Sequence, residues 1–165
     1  AEDFGFADYN DTSTTATPVN LDADVWTDVP NDGLGTFTNL DYIPRKMSKL
    51  MDTTTGYLDV SELNLGSTIL IRNDYSITPS QNLAKLDFRY SLGDGVGVYT
   101  LDKTLHRLDS GALITYRFSW GADLIYVVDV NTRMNPIKIQ VKVSADSTLV
   151  NNGTVIEVKF RDKLR

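Results

Sequence analysis

From Gly66 to the C-terminus the chain alternates apolar and polar residues with a period of two. In GSTILIRNDYSIT, Ile69, Ile71, Tyr75 and Ile77 fall on one face and Thr68, Arg72, Asp74, Ser76 and Thr78 on the other. Successive side chains of a strand point to opposite faces, so this pattern marks a sheet buried on one side and wet on the other. The same reading predicts strands at Ser67–Thr78, Asn82–Leu92, Gly97–Leu101, Leu105–Trp120, Asp123–Val130, Pro136–Ser144, Ser147–Val150 and Thr154–Asp162. Turn signals separate them: PSQN, GDGVG, Ser110-Gly111, WGAD, NTRMNP, SADS and VNNG. Asn151-Asn152-Gly153 between two alternating runs reads as a hairpin.

The first third is less regular. Phe4, Phe6 and Tyr9 form a short aromatic segment, and a Ser/Thr run that disfavours a helix leads to a short strand near Thr17–Leu21. Asn31-Asp32-Gly33 is a turn signal after Val25–Val29, because Asn and Gly tolerate positive φ. Residues 36–56 read as a long surface connection with at most one helical turn at Arg45–Met51, and YLDVSELNLG as a short strand ended by Gly66. Many short strands without a convincing helix predict one all-β domain over residues 1–165, an antiparallel sandwich of the jelly-roll kind.

Composition narrows the chemistry. Cysteine is absent and His106 is the single histidine, so disulfides and thiolate metal sites are excluded. A chain of 165 residues buries about 68–70% of its extended surface and needs no staple. No run of apolar residues is long enough to cross a bilayer as a helix, and no secretory segment is visible. Ala1 in place of Met points to a removed leader, tag or upstream segment. The net charge of -6 argues against nucleic acid as a partner. Residues 1–41 carry nine acids and no Lys or Arg, whereas the stretch from Arg133 carries seven bases and three acids. This predicts an acidic N-terminal arm, about residues 1–15, lying near the C-terminal strands or docking on a basic partner.

Candidate chemistry is sparse. His106 stands alone beside Arg107 and Asp109, and a solitary imidazole in a strand is ordinarily structural. A glycosidase needs only two carboxylates, for which Asp94, Asp102, Asp109, Asp123 and Asp129 are the candidates, with no pair standing out. The Asn20–Asp24 and Pro30–Gly33 loops are rich in calcium-type ligands but lack EF-hand spacing. GDGVG lies between strands and opens no helix, so it reads as a turn and not a phosphate cradle. Trp26, Tyr42, Tyr57 and Tyr99 are aromatics near loops, suited to sugars or to interfaces. No catalytic, cofactor or metal residue is assigned.

Some strands are apolar on nearly both faces, which demands a cover. Ile114, Tyr116, Phe118, Trp120, Leu124, Tyr126 and Val128 are the residues expected to meet a second copy, and Phe4, Phe6 and Tyr9 those expected to anchor the arm on another protein.

Taken in order, GFADYNDT (Gly5–Thr12), TPVNL (Thr17–Leu21), NDGLGTFTN (Asn31–Asn39), MDTTTGYLDVSEL (Met51–Leu63), GSTILIRNDYSIT (Gly66–Thr78), DVNTRMNPIKIQV (Asp129–Val141) and VIEVKFRDKLR (Val155–Arg165) resemble the small surface proteins of tailed bacteriophages. Met51 stands where that pattern more often has tryptophan. The resemblance implies a jelly roll similar to tumour necrosis factor, assembled as a homotrimer on the virion surface. It implies a head-decoration (cement) protein with no enzymatic activity and no cofactor, bound to the major capsid protein or another virion protein. The alternatives are the receptor-binding tip of a phage fibre that recognises a host glycan, and a small carbohydrate-active enzyme.

Overall fold

The computed structural model describes residues 4–108 and 112–161, leaving aside the side chains of Leu105 and His106. Among the described residues eleven strands run in chain order: β1 Phe4–Tyr9, β2 Val19–Leu21, β3 Thr27–Asp28, β4 Met51–Asp52, β5 Tyr57–Leu58, β6 Thr68–Pro79, β7 Ala84–Leu92, β8 Tyr99–Leu108, β9 Tyr116–Tyr126, β10 Lys138–Val143 and β11 Ser147–Lys159. Two short helices, α1 (Ser13–Ala16) and α2 (Val130–Met134), and one 3₁₀ turn interrupt them. One sheet has the order β1-β11-β6-β9, with β2 also on β11; the second has the order β3-β10-β7-β8; β4 and β5 pair apart. All pairings are antiparallel.

The two large sheets pack face to face, which makes the chain an all-β sandwich. Ile69, Ile71, Tyr75 and Ile77 of β6 meet Leu86, Phe88 and Tyr90 of β7 and Ile139, Val141 and Val143 of β10 in one buried core. An aromatic stack bridges the layers: Trp120 of β9 lies 4.4 Å from Phe88, 5.1 Å from Tyr90 and 6.3 Å from Tyr75, ring centre to ring centre. Asn73 points inward among these residues, and both its amide nitrogen and its amide oxygen have partners. It donates to the Tyr90 hydroxyl at 2.9 Å and accepts from Thr154 at 3.0 Å and Tyr75 at 3.3 Å.

Two predicted turns are not turns, and one predicted strand is divided. Leu105–Trp120 is no single strand: β8 ends at Leu108 and β9 begins at Tyr116. WGAD lies inside β9 as a bulge, because Trp120 pairs with Asn73 and Asp123 with Ile71, leaving Gly121 and Ala122 opposite Arg72 alone. Asn151–Gly153 is likewise a bulge in the continuous β11. There β1 leaves β11 and β2 takes its place, and the hydroxyl of Thr14 in α1 accepts the Asn151 amide at 2.8 Å. A hairpin signal loses to this tertiary pairing. The Ser/Thr run that predicted no helix forms α1 because Asp11 accepts from the Thr14 amide and hydroxyl at 2.8 and 2.6 Å. Arg45–Met51 forms no helix.

Candidate functional site: two apolar surfaces and an edge cleft

The expected N-terminal arm is a strand of the sheet. β1 pairs with β11 from Phe4↔Lys159 to Tyr9↔Thr154, so the acidic segment does lie on the C-terminal strand. Alternation then separates its three aromatics. Tyr9 is 2% exposed and its hydroxyl accepts the Leu50 amide at 2.9 Å, which removes it from any surface contact. Phe4 and Phe6 face outward, 45% and 38% exposed. Phe6 stacks on Tyr42 at 5.0 Å and 13°. With Gly5, Asp41, Ile43, Pro44, Arg45 and Lys46 they line an open groove of about 690 Å³. The loop is held there by main-chain bonds, Phe6 N–H to Tyr42 O at 3.1 Å and Asp8 N–H to Asn39 O at 3.0 Å.

The bulge in β9 splits the second expected set. Before it, Tyr116, Phe118 and Trp120 point toward the core; after it, Ile125 and Val127 do, and Leu124 and Tyr126 turn outward. Trp120 is 3% exposed, so it is a core residue of its own chain and not an interface residue. Tyr116 and Phe118 are half-buried and stack at 6.3 Å. Leu124 at 65% and Tyr126 at 55% are the most exposed of the set, with Ile114 and Val128 also exposed. Phe4, Lys159, Thr68 and Tyr126 form one cross-strand row, and Phe6, Glu157, Leu70 and Leu124 form the next. The two groups thus sit at opposite edges of one sheet face, three strand spacings or about 14 Å apart.

Of the candidate carboxylates, Asp94 caps the 3₁₀ turn through the Gly95 amide, and Asp129 caps α2 through the Thr132 amide, both at 2.8 Å. GDGVG is the turn between β7 and β8. Asp109 and the His106 side chain lie outside the described residues. Asp102 and Asp123 do come together, in a cleft of about 160 Å³ between β8 and β9 that Tyr90, Leu101, Lys103, Trp120 and Leu124 also line. Asp123 accepts from the Tyr90 hydroxyl at 2.9 Å and pairs with Lys103 at 2.8 Å. Burial, followed by the Asp123 charge, pushes the Tyr90 phenol far above its ordinary range, so it stays a donor. Tyr90, Asn73 and Lys103 were missed from the sequence. The one signal for them was a polar residue, Asn73, in the inward register of an otherwise apolar strand.

The calcium-type loops are internally tied. Asp11 accepts from Ser13, Thr14 and the Asp32 amide. Burial nudges Asp32 upward, but hydrogen bonds from Thr12 and the Leu34 amide outweigh it and hold the carboxyl at about 2. Ala23 N–H reaches Asp146 at 2.9 Å. The loop aromatics are also engaged: Trp26 under Arg89 at 4.2 Å and Lys142 at 4.9 Å, Tyr57 on Asp28 at 2.6 Å, and Tyr99 with Thr132 at 3.1 Å.

Fold and surface define an all-β sandwich with two separate exposed apolar surfaces. No family model matches the chain, and no curated protein does. A chain in the structure of infectious bursal disease virus, Gt strain, is similar with a TM-score of 0.38 and 9% identity, over 97% of this chain and 32% of that one. The protein thus spans about a third of that chain's length, and at those values the likeness carries no weight for role.

Proposed function

We propose that this chain is a structural protein of a virion surface: a decoration protein on the capsid exterior that closes into a homotrimer and performs no reaction. The observation that carries the reading is the pair of exposed apolar surfaces at opposite edges of one rigid sheet. A subunit that cements a shell needs two contacts, one to its own copies and one to the shell. Monomers rarely expose large apolar patches without a partner for them.

Strand order supports the jelly-roll reading similar to tumour necrosis factor. Taking β1, β3, β6, β7, β8, β9, β10 and β11 as eight strands, the first pairs with the last, the second with the seventh, the third with the sixth and the fourth with the fifth. That is a ribbon folded double and rolled up. Copies meet through Ile114, Tyr116, Phe118, Leu124, Tyr126 and Val128, which present two different surfaces on either side of β9. Unlike surfaces join head to tail, and such contacts close into a ring when the rotation allows. Phe4 and Phe6, with Tyr42, contact the major capsid protein or another virion protein.

The test uses purified protein and emptied capsids. Sedimentation equilibrium gives a trimer at micromolar concentration, and the protein binds shells but not host cells. A stable monomer removes the trimer, and binding to cells alone overturns the decoration role in favour of a fibre tip.

A further inference from the structure

Three buried side-chain atoms lack a hydrogen-bond partner among the described residues, and two of them, Trp120 Nε1 and Asp87 Oδ1, lie on either side of strand β8. Trp120 lines the cleft of about 160 Å³ described above. Asp87 lines a second cleft, of about 210 Å³, with Trp26, Lys85, Thr104 and Lys142. Asp102 and Lys103 belong to both and form the ridge between them. β8 is the last strand of its sheet, and Asp102 on the ridge is exposed.

Buried donors and acceptors in native proteins find partners, and a buried indole N–H without one asks for an acceptor from outside the chain. The clefts hold three cations, Lys85, Lys103 and Lys142, against three carboxylates, Asp87, Asp102 and Asp123. This balance favours neither an anion nor a cation and suits a neutral ligand whose groups both donate and accept. Trp120 has one face on Phe88 and Lys103 over its ring at 6.0 Å, so it offers its N–H edge and not a stacking face. A peptide adding to the β8 edge would meet the irregular register between Leu86 and Asp87 and the inward-turned Lys103, both of which spoil a straight ladder.

We infer that the β8 edge binds a neutral saccharide, with one sugar ring in each cleft and the linkage over Asp102 and Lys103. The inference goes beyond the decoration reading and does not rest on it.

The experiment titrates the assembled protein with lactose, maltose and diacetylchitobiose while following its two indole N–H signals by NMR. Sialyllactose and a short extended peptide serve as controls. A saturable shift of the Trp120 signal with at least one neutral disaccharide is expected. Trp120→Phe, read by saturation transfer to the sugar, and Asp87→Asn each weaken binding about tenfold, the worth of one hydrogen bond. Asp102→Asn, on the exposed ridge, weakens it without a folding risk, and Leu34→Ala, remote and exposed, leaves it unchanged. The inference is overturned if no neutral probe shifts the signal, if binding survives all three cleft variants, or if only the anionic sugar or the peptide binds.

Discussion

At one edge of the five-stranded sheet, β1 turns its outward main-chain groups onto the loop that carries Asn39 and Tyr42. At the other edge, β9 has β6 on one side and no further strand among the described residues on the other. Both edges carry exposed aromatic and aliphatic side chains, yet they suit different contacts. On the β1 edge the Phe6 amide and both main-chain groups of Asp8 are taken up by that loop, so the side chains of Phe4, Phe6 and Tyr42 make up most of what it exposes. The β9 edge is bare but bulged at Gly121–Ala122, a device that discourages simple strand addition and re-aims side chains. An exposed apolar patch does not reveal its mode of docking until the main-chain bonds beneath it are counted.

The largest difference between the two faces is expected inside β9. Trp120→Ala empties an aromatic stack and is expected to cost about 3–5 kcal/mol in denaturant unfolding. Leu124→Ala, beyond the bulge on the outer face, stays within about 0.5 kcal/mol. Equal effects would mean that the bulge does not reverse the faces. At the β1 edge, Gly5→Ala sets a Cβ against the Tyr42 carbonyl and the Pro44 ring, which the loop must yield to accommodate. A loss of about 1–3 kcal/mol follows, with faster hydrogen exchange at the Phe6 and Asp8 amides. Tyr9→Phe strands the buried Leu50 amide and costs about 1–3 kcal/mol by the same unfolding measurement.

Smaller in stability but larger in assembly is the double change Leu124→Lys, Tyr126→Glu. Unfolding of the subunit is expected to move little, and the proposed trimer is expected to be lost in sedimentation. The smallest effect is acid-dependent. The Asp32 carboxyl is held at about 2, below its ordinary 3.8. Its contribution is therefore full above the ordinary value and disappears as pH falls toward 2. An NMR titration of the Asp32 carboxyl carbon checks this, and Thr12→Ala moves the midpoint up.

The period-two pattern was legible wherever a strand had one wet and one dry face, as in β6, β7 and β10. It misled where tertiary pairing overrode a local signal. WGAD and NNG contain glycine and look like turns, but in both cases a partner strand runs straight past and absorbs one extra residue. The site residues were legible as types and not as positions. Phe4 and Phe6 were found with Tyr9, although Tyr9 faces the opposite way. Leu124 and Tyr126 were found with Trp120, because no sequence shows the one-residue insertion that divides them. Asp102 and Asp123 lie 21 positions apart, and only the packing of β8 beside β9 puts them in one cleft.

Alternation of side chains is a property of each strand alone, so an all-β chain with a buried core, no cysteine and a lone histidine could be read before any coordinate. Which strands become neighbours, where a bulge reverses the faces and which apolar side chains are left uncovered depend on contacts between residues far apart in the chain. Those were decided only when the two sheets closed on each other.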